Sequence, residues 1–190
     1  MDVKTRIRST AISTFASAGY LNFLRGKARL RRKLSGERAT VHYFHQVDDP
    51  YSHLAVQKLD QLKTNYALPF KAHLVSKPAA EFQGSSDHFD NWALRDALSI
   101  AGDYGASLQA ARQPGPAEVQ AANNKLASQL NQPDFAQQAV EVGAALWSGK
   151  SEKEADRQPG EAAVQKGNVL RARLGHYQGG MFYFDGEWFW

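Results

Sequence analysis

The chain has 190 residues and a mass of 21.1 kDa, the size of one ordinary domain or of one domain with an insertion. Hydrophobic residues make up 43% and charged residues 22%, which excludes a disordered chain and leaves enough apolar material for a real core. There is no cysteine, so disulfides, thiolate metal sites and redox cycling by the chain's own thiols are excluded. No apolar run reaches the roughly 18 residues of a membrane span.

The net charge of +4 is unevenly placed. Residues 1–38 hold ten Lys and Arg against Asp2 and Glu37, a net of +8, while the rest of the chain is net −4. A basic stretch such as Arg25–Lys33 can sit on phosphate or on an anionic membrane surface. The ordinary behaviour of terminal charge runs favours another reading, a solvated helical extension that lies on its own fold or on a partner. Membrane-surface contact is the lesser expectation, and no nucleic-acid partner is expected. Residues 10–24 follow Arg6 and Arg8 in the manner of a secretory signal. Their apolar part is broken by Ser13, Thr14, Ser17 and Asn22, however, and signal peptides need a cleaner centre. With no cysteine to oxidise, a cytoplasmic location is expected.

Residues 39–47 are β-branched and aromatic and predict a strand. Asp48-Asp49-Pro50 ends it and opens a helix, with Asp as N-cap and Pro at the first helical position. Leu54, Ala55, Leu59 and Leu62 continue that helix to about residue 64. Residues 66–75 predict a second strand, its Pro69 placing it at an edge or near its own start. A loop rich in Gly, Ser and Asp follows over 83–90, then a helical pattern over 92–104. Gln113-Pro114-Gly115-Pro116 breaks the chain. Helices are predicted at 117–131, 134–148, 151–157 and 161–174, with Gly175 as a C-terminal stop. Met181–Phe184, Asp185-Gly186 and Glu187–Trp190 predict a hairpin with an Asp-Gly turn.

Strand, helix, strand, a block of helices and a hairpin make an α/β protein with a mixed central sheet. The strands at 39–47 and 66–75 should be parallel, joined by a right-handed crossover. The expected organisation is a basic extension over 1–38, a sheet with its helix from 39–78 and 176–190, and a helical insertion with a return helix over 79–175.

Val41–Leu59, VHYFHQVDDPYSHLAVQKL, resembles the first strand and active-site helix of the DsbA-type thioredoxin fold. It is most similar to the branch of 2-hydroxychromene-2-carboxylate isomerases and kappa-class glutathione transferases. Asp49-Pro50-Tyr51-Ser52 and Leu54-Ala55 fill the places of that branch's Ser-Pro-aromatic-Ser and Leu-Ala. Ala145–Gly149 is similar to the end of the family's inserted helical domain, and Gly179–Glu187 resembles its closing hairpin. The resemblance covers residues 39–190 and implies a glutathione-linked isomerase or transferase, with glutathione as cofactor and no metal. A non-catalytic thioredoxin-fold binding module is the alternative, with the aromatic hairpin as a route to self-association or to a second domain.

Four departures bear on that implication. Asp49 and Ser52 stand where the redox branch has Cys-x-x-Cys, which excludes disulfide exchange by this chain. Asp49 also replaces the serine that serves the glutathione thiol in the isomerase branch, and Gly180 stands where the family places a cis-proline. The helix that closes the family fold after the hairpin is not in the sequence, so it is either absent or belongs to a longer protein.

A helix N-terminus is an anion site, and a carboxylate there takes up the field that relatives use on sulfur. It would repel a thiolate about 4 Å away by about 4 kcal/mol at an effective dielectric near 20. Asp49 is therefore either a base toward a neutral thiol or other ionisable substrate, or a plain N-cap. Ser52 either donates to a ligand or bonds back to its helix. Tyr51 either covers a ligand or packs on the insertion. His53, four residues after Asp49, either shuttles protons with it or makes an ordinary His–carboxylate contact. The Gly180–Met181 turn would close the site. His42 and His45 point to opposite faces of a strand and cannot share one ion without a bulge.

Overall fold

The computed structural model describes residues 17–79, 82, 86–151 and 158–190. Helix α1 (Ala18–Ser35) is capped by Ser17, whose hydroxyl accepts from the Tyr20 N–H. Strand β1 (Val41–His45) leads through Asp48-Asp49 into α2 (Pro50–Val56), α3 (Leu59–Tyr66) and β2 (Phe70–Leu74). Helices α4 (Ser86–Ile100), α5 (Pro116–Ala127), α6 (Phe135–Trp147) and α7 (Gln158–Arg173) follow, then β3 (Met181–Phe184) and β4 (Glu187–Phe189).

The four strands form one mixed sheet in the order β2-β1-β3-β4. β1 and β2 are parallel, with Tyr43 opposite Ala72, and β3 runs antiparallel to β1, with Tyr43 opposite Phe182. Strand alternation sends Tyr43 and its neighbours Ala72 and Phe182 to one face. There they meet Val56, Leu59, Leu126, Phe135, Ala139 and Leu146 in the main core. Phe44 and His73 take the other face, where Phe44 stacks on His73 at 5.0 Å and meets Trp188 at 5.1 Å. A second cluster, Leu54, Ala97, Ala101, Leu108 and Trp147, fastens α2 to α4 and to the end of α6.

Several boundaries differ from the sequence reading for local reasons. The helix expected from Pro50 to about residue 64 breaks at Gln57-Lys58. Gln57 bonds both ways to Ser107, and the Lys58 ammonium donates to the Gly105 carbonyl at 2.8 Å, so the loop after α4 draws these side chains out of line. Tyr66 ends α3 and Ala67 takes φ +50, so the second strand starts at Phe70 rather than at 66. Helix α4 begins at Ser86, inside the stretch expected as loop, and stops at Ile100 rather than 104. Ser151 is not helical, and the rest of the expected 151–157 helix lies outside the described residues. The hairpin turn forms at Asp185-Gly186, with φ +48 and +88, the two positive values that a type I′ turn requires.

The basic leader, from residue 17 onward, sits on its own fold. Arg25 pairs with Glu187 at 2.6 Å, and Arg29 and Arg32 both pair with Asp185. A Cβ on Gly186 would lie 2.8 Å from the Leu24 carbonyl oxygen, so the turn glycine also permits this close approach.

Candidate functional site

The start of α2 is built around one carboxylate. Asp49 takes an extended conformation as N-cap, and Pro50 follows at the first helical position, where a missing N–H costs nothing. Asp49 Oδ1 accepts from the Tyr51 N–H at 3.3 Å. Oδ2 accepts from the Ser52 N–H at 2.9 Å and from the Ser52 hydroxyl at 2.7 Å. Burial lifts the Asp49 carboxyl to about 6, against the hydrogen bonds from Ser52 and Tyr51 that pull it down.

Ser52 is fully buried, and its oxygen also accepts from the Gln46 N–H at 3.2 Å. It therefore positions Asp49 and does not reach the cleft. Beneath it, the Tyr43 hydroxyl donates to the Ser52 carbonyl at 2.9 Å and lies 3.0 Å from His45 Nδ1. With its proton committed to Ser52, Tyr43 accepts from His45 Nδ1–H. Burial holds His45 at about 3, so that imidazole is neutral.

Gly180 passes over the same point. Its φ is +65, and an added Cβ would sit 3.0 Å from Asp49 Oδ2 and 3.3 Å from Ser52 Oγ. Its N–H donates to the Phe44 carbonyl at 2.9 Å, which fixes the turn to β1. Next to it, a Cβ on Gly179 would lie 2.5 Å from the Gln46 side chain. Two glycines in succession thus let the chain cross close above Gln46 and Asp49. Met181 is buried in β3 beside Phe44 and does not line the cleft.

The cleft itself encloses about 130 Å³ and is lined by Gln46, Asp48, Asp49, Pro50 and Tyr51 on one side. Phe82, Phe89, Asp90, Gln113, Gln178 and Trp190 complete the wall. That volume is below the roughly 300–1,000 Å³ of sites that enclose a whole drug-sized ligand, and has room for one small group. Tyr51 belongs to that rim. Its hydroxyl donates to Asp96 Oδ2 at 2.6 Å and its ring meets Trp190 edge-on at 5.6 Å. Burial, then the bond to Asp96, pushes the phenol up, so it stays protonated.

His53 does not join Asp49. It is buried against α6, where a Cβ on Gly143 would collide with its ring. It lines a separate depression with Ser107, Gln109, Ser148 and Lys150. Burial lowers it to about 4, leaving a neutral ring whose Nδ1 finds no partner among the described residues. The predicted Asp49–His53 relay is therefore not assembled. The helical spacing is right, but the glycine on α6 gives the ring a seat of its own.

Two charged groups, Lys77 and Asp90, escaped the sequence reading, and they meet Asp48. Lys77 donates to Asp90 Oδ2 at 2.7 Å and stands 3.6 Å from Asp48 Oδ2. Burial pulls the Lys77 ammonium down, but the two carboxylates together outweigh it and raise it. Burial raises Asp48, against the pull of Lys77 and of the Gln46 amide, which donates to it at 3.1 Å. No local spacing joins Asp48, Lys77 and Asp90, and only the sheet and α4 bring them together. His42 and His45 do lie on opposite faces: His42 Nδ1 meets His73 Nε2 at 2.9 Å, while His45 meets Tyr43. Among the described residues, no group of three His, Asp or Glu is placed to hold a metal ion.

No protein-family model and no curated protein matches this chain. Among solved structures, 2-hydroxychromene-2-carboxylate isomerase is similar to it with a TM-score of 0.55 and 14% identity, over 80% of this chain and 88% of the other. The cytosolic disulfide reductase DsbM from Pseudomonas aeruginosa, in a structure with GSH, is similar with a TM-score of 0.50 and 16% identity, over 79% and 88% of the two chains. At such identities the likeness is one of fold. The chain is a cysteine-free protein of DsbA-type, thioredoxin-like fold.

Proposed function

We propose that the cleft at the start of α2 binds the thiol end of a glutathione-like ligand and that the protein is a glutathione-linked isomerase or transferase acting on a small molecule. The observation that carries this reading is Asp49: a carboxylate raised to about 6 at a helix N-terminus, facing a side-chain-free turn at Gly180. The donor set suits a neutral thiol and not a thiolate, because the carboxylate already occupies the electropositive end of the helix. A bound thiol would supply a nucleophile that adds to a conjugated carbon and leaves it again. Asp49 Oδ1, which holds only one long bond from the Tyr51 N–H, takes the thiol proton and returns it. A carboxylate near 6 and a thiol near its ordinary value differ by about 3 kcal/mol, a transfer that suits a base used transiently. Gln46, Gln113 and Gln178 line the wall with amides suited to peptide groups, and Tyr51 and Trp190 offer faces to an apolar co-substrate. A cytoplasmic location belongs to the same proposal.

A second reading is a binding module without turnover. It is favoured by the completeness of the Asp49 cap, three hydrogen bonds within its own helix turn, and by the small cleft. Exposed Phe189 and Trp190 would then meet a partner domain or a second copy. Titration calorimetry with reduced glutathione separates these. Saturable heat in the wild type, weakened in Asp49→Ala, is expected for the first reading. Heat that Asp49→Ala leaves unchanged favours the second, and the absence of heat removes glutathione.

A further inference from the structure

We propose that α1 lies along an anionic membrane surface, with Phe23, Leu30 and Leu34 in the interface and its outward basic side chains on lipid phosphates. This surface is independent of the cleft. The helix carries Arg25, Lys27, Arg29, Arg31, Arg32 and Lys33 and no acidic residue. The sequence alone could not say which of its faces is occupied. The structure fixes that rotation: Arg25, Arg29 and Arg32 turn to the hairpin carboxylates, and Leu24 and Ala28 lie against Gly186.

At about 100° per residue, Phe23, Leu30 and Leu34 fall within about 40° of one another, on the side away from that contact. They are 64%, 59% and 80% exposed. Their line runs about 16 Å along the helix, with Lys27 and Lys33 on its two flanks. Neither lysine has an ion-pair partner among the described residues. The pattern is that of a helix lying in an interface, apolar on one side and basic beside it. No described helix is long and apolar enough to cross a membrane, so α1 would lie in the surface and not span it.

Charge complementarity identifies the occupant. An anionic bilayer offers acyl chains to the stripe and phosphates to the lysines at the same depth. A second copy offers less, because packing its α1 stripe on this one sets Lys27 and Lys33 beside the same lysines and supplies no counter-charge.

The test is co-sedimentation of the full chain with phosphatidylcholine vesicles, with and without phosphatidylglycerol. Binding is expected only with phosphatidylglycerol and should fall as salt is raised. The stripe variant Phe23→Asp/Leu30→Asp/Leu34→Asp should lose it by more than tenfold, with an unchanged far-UV spectrum. A second variant, Lys27→Gln/Lys33→Gln, tests the charges without touching the apolar stripe and should weaken binding by about tenfold. Three results would overturn the proposal: no binding to the anionic vesicles at low salt, binding by either variant as strong as that of the wild type, or a dimer in light scattering that the stripe variant dissolves while vesicles stay unbound.

Discussion

The chain places carboxylates in two contrasting settings. Asp49 is enclosed beneath Gly180, bonded only to its own helix turn, with no cation within ion-pair distance among the described residues. Asp185 and Glu187 sit at the hairpin and are met by three arginines from α1. The first setting depends on desolvation and geometry, and salt reaches it poorly. The second depends on charge: Asp185 and Glu187 are largely covered, but Arg25 and Arg29 reach them from solvent, where long side chains lose entropy and ions screen the attraction. Carboxylates near a positive partner or a helix end are therefore not alike: Asp49 shapes the start of its own helix, while Asp185 and Glu187 orient an attached one.

The largest effect that sharpens this contrast is at Ser52. Ser52→Ala removes the shortest bond to Asp49 and leaves the Gln46 N–H without its acceptor in a buried place. A loss of about 2–3 kcal/mol in urea unfolding is expected. The Asp49 carboxyl should also titrate higher, since the hydroxyl is what pulls it down, and carbon-detected NMR of the side chain would register that. A loss below about 0.5 kcal/mol would mean that Asp49 and Ser52 do not form a closed cap.

The legibility of this site divides along the same line. Local signals in the sequence were enough for the Asp-Pro helix start and the Asp-Gly hairpin, because each depends on residues a few places apart; the parallel β1–β2 pair followed from the strand–helix–strand order, and Gly180 was marked only by the family resemblance. They were enough to name Asp49, but not to tell that Ser52 faces inward toward it. They failed at His53, whose orientation is decided by Gly143 from a helix some ninety residues later. They failed again at Lys77 and Asp90, which meet only after the chain has folded. For the leader, composition announced the charge while the rotation of α1 stayed hidden until the hairpin was in place.

A smaller effect is expected from Asp49→Asn, and its sign is the informative part. The folded protein holds the Asp49 proton up to about 6, whereas the unfolded chain releases it near 3.8. The stability this group contributes is thus complete below about pH 4 and is lost as pH rises through 6. Asparagine caps a helix as well as aspartate does and carries no charge to desolvate. Asp49→Asn should therefore stabilise the protein by about 1–2 kcal/mol at pH 7, the wet side of the cleft reducing the full value. It should do nothing below pH 4, and should flatten stability between pH 4 and 6. Denaturant midpoints across that range measure it, and a destabilised variant at pH 7 would show the negative charge to be an asset to the fold.

Asp185→Asn should produce the smallest change. Asparagine adopts the positive φ of this turn position as readily as aspartate, so the substitution removes charge and little else. Two arginine contacts go with it, one to Arg29, whose side chain is 66% exposed, and one to the better covered Arg32. Their combined contribution is about 0.5–1 kcal/mol at low ionic strength. High salt should bring wild type and variant together, because screening removes from the wild type what the substitution removes from the variant. Ser52→Ala should keep its full deficit under the same salt. If the Asp185→Asn deficit also persisted in high salt, α1 would be held by packing at Leu24 and Ala28 rather than by charge, and the two settings would be more alike than their carboxylates suggest.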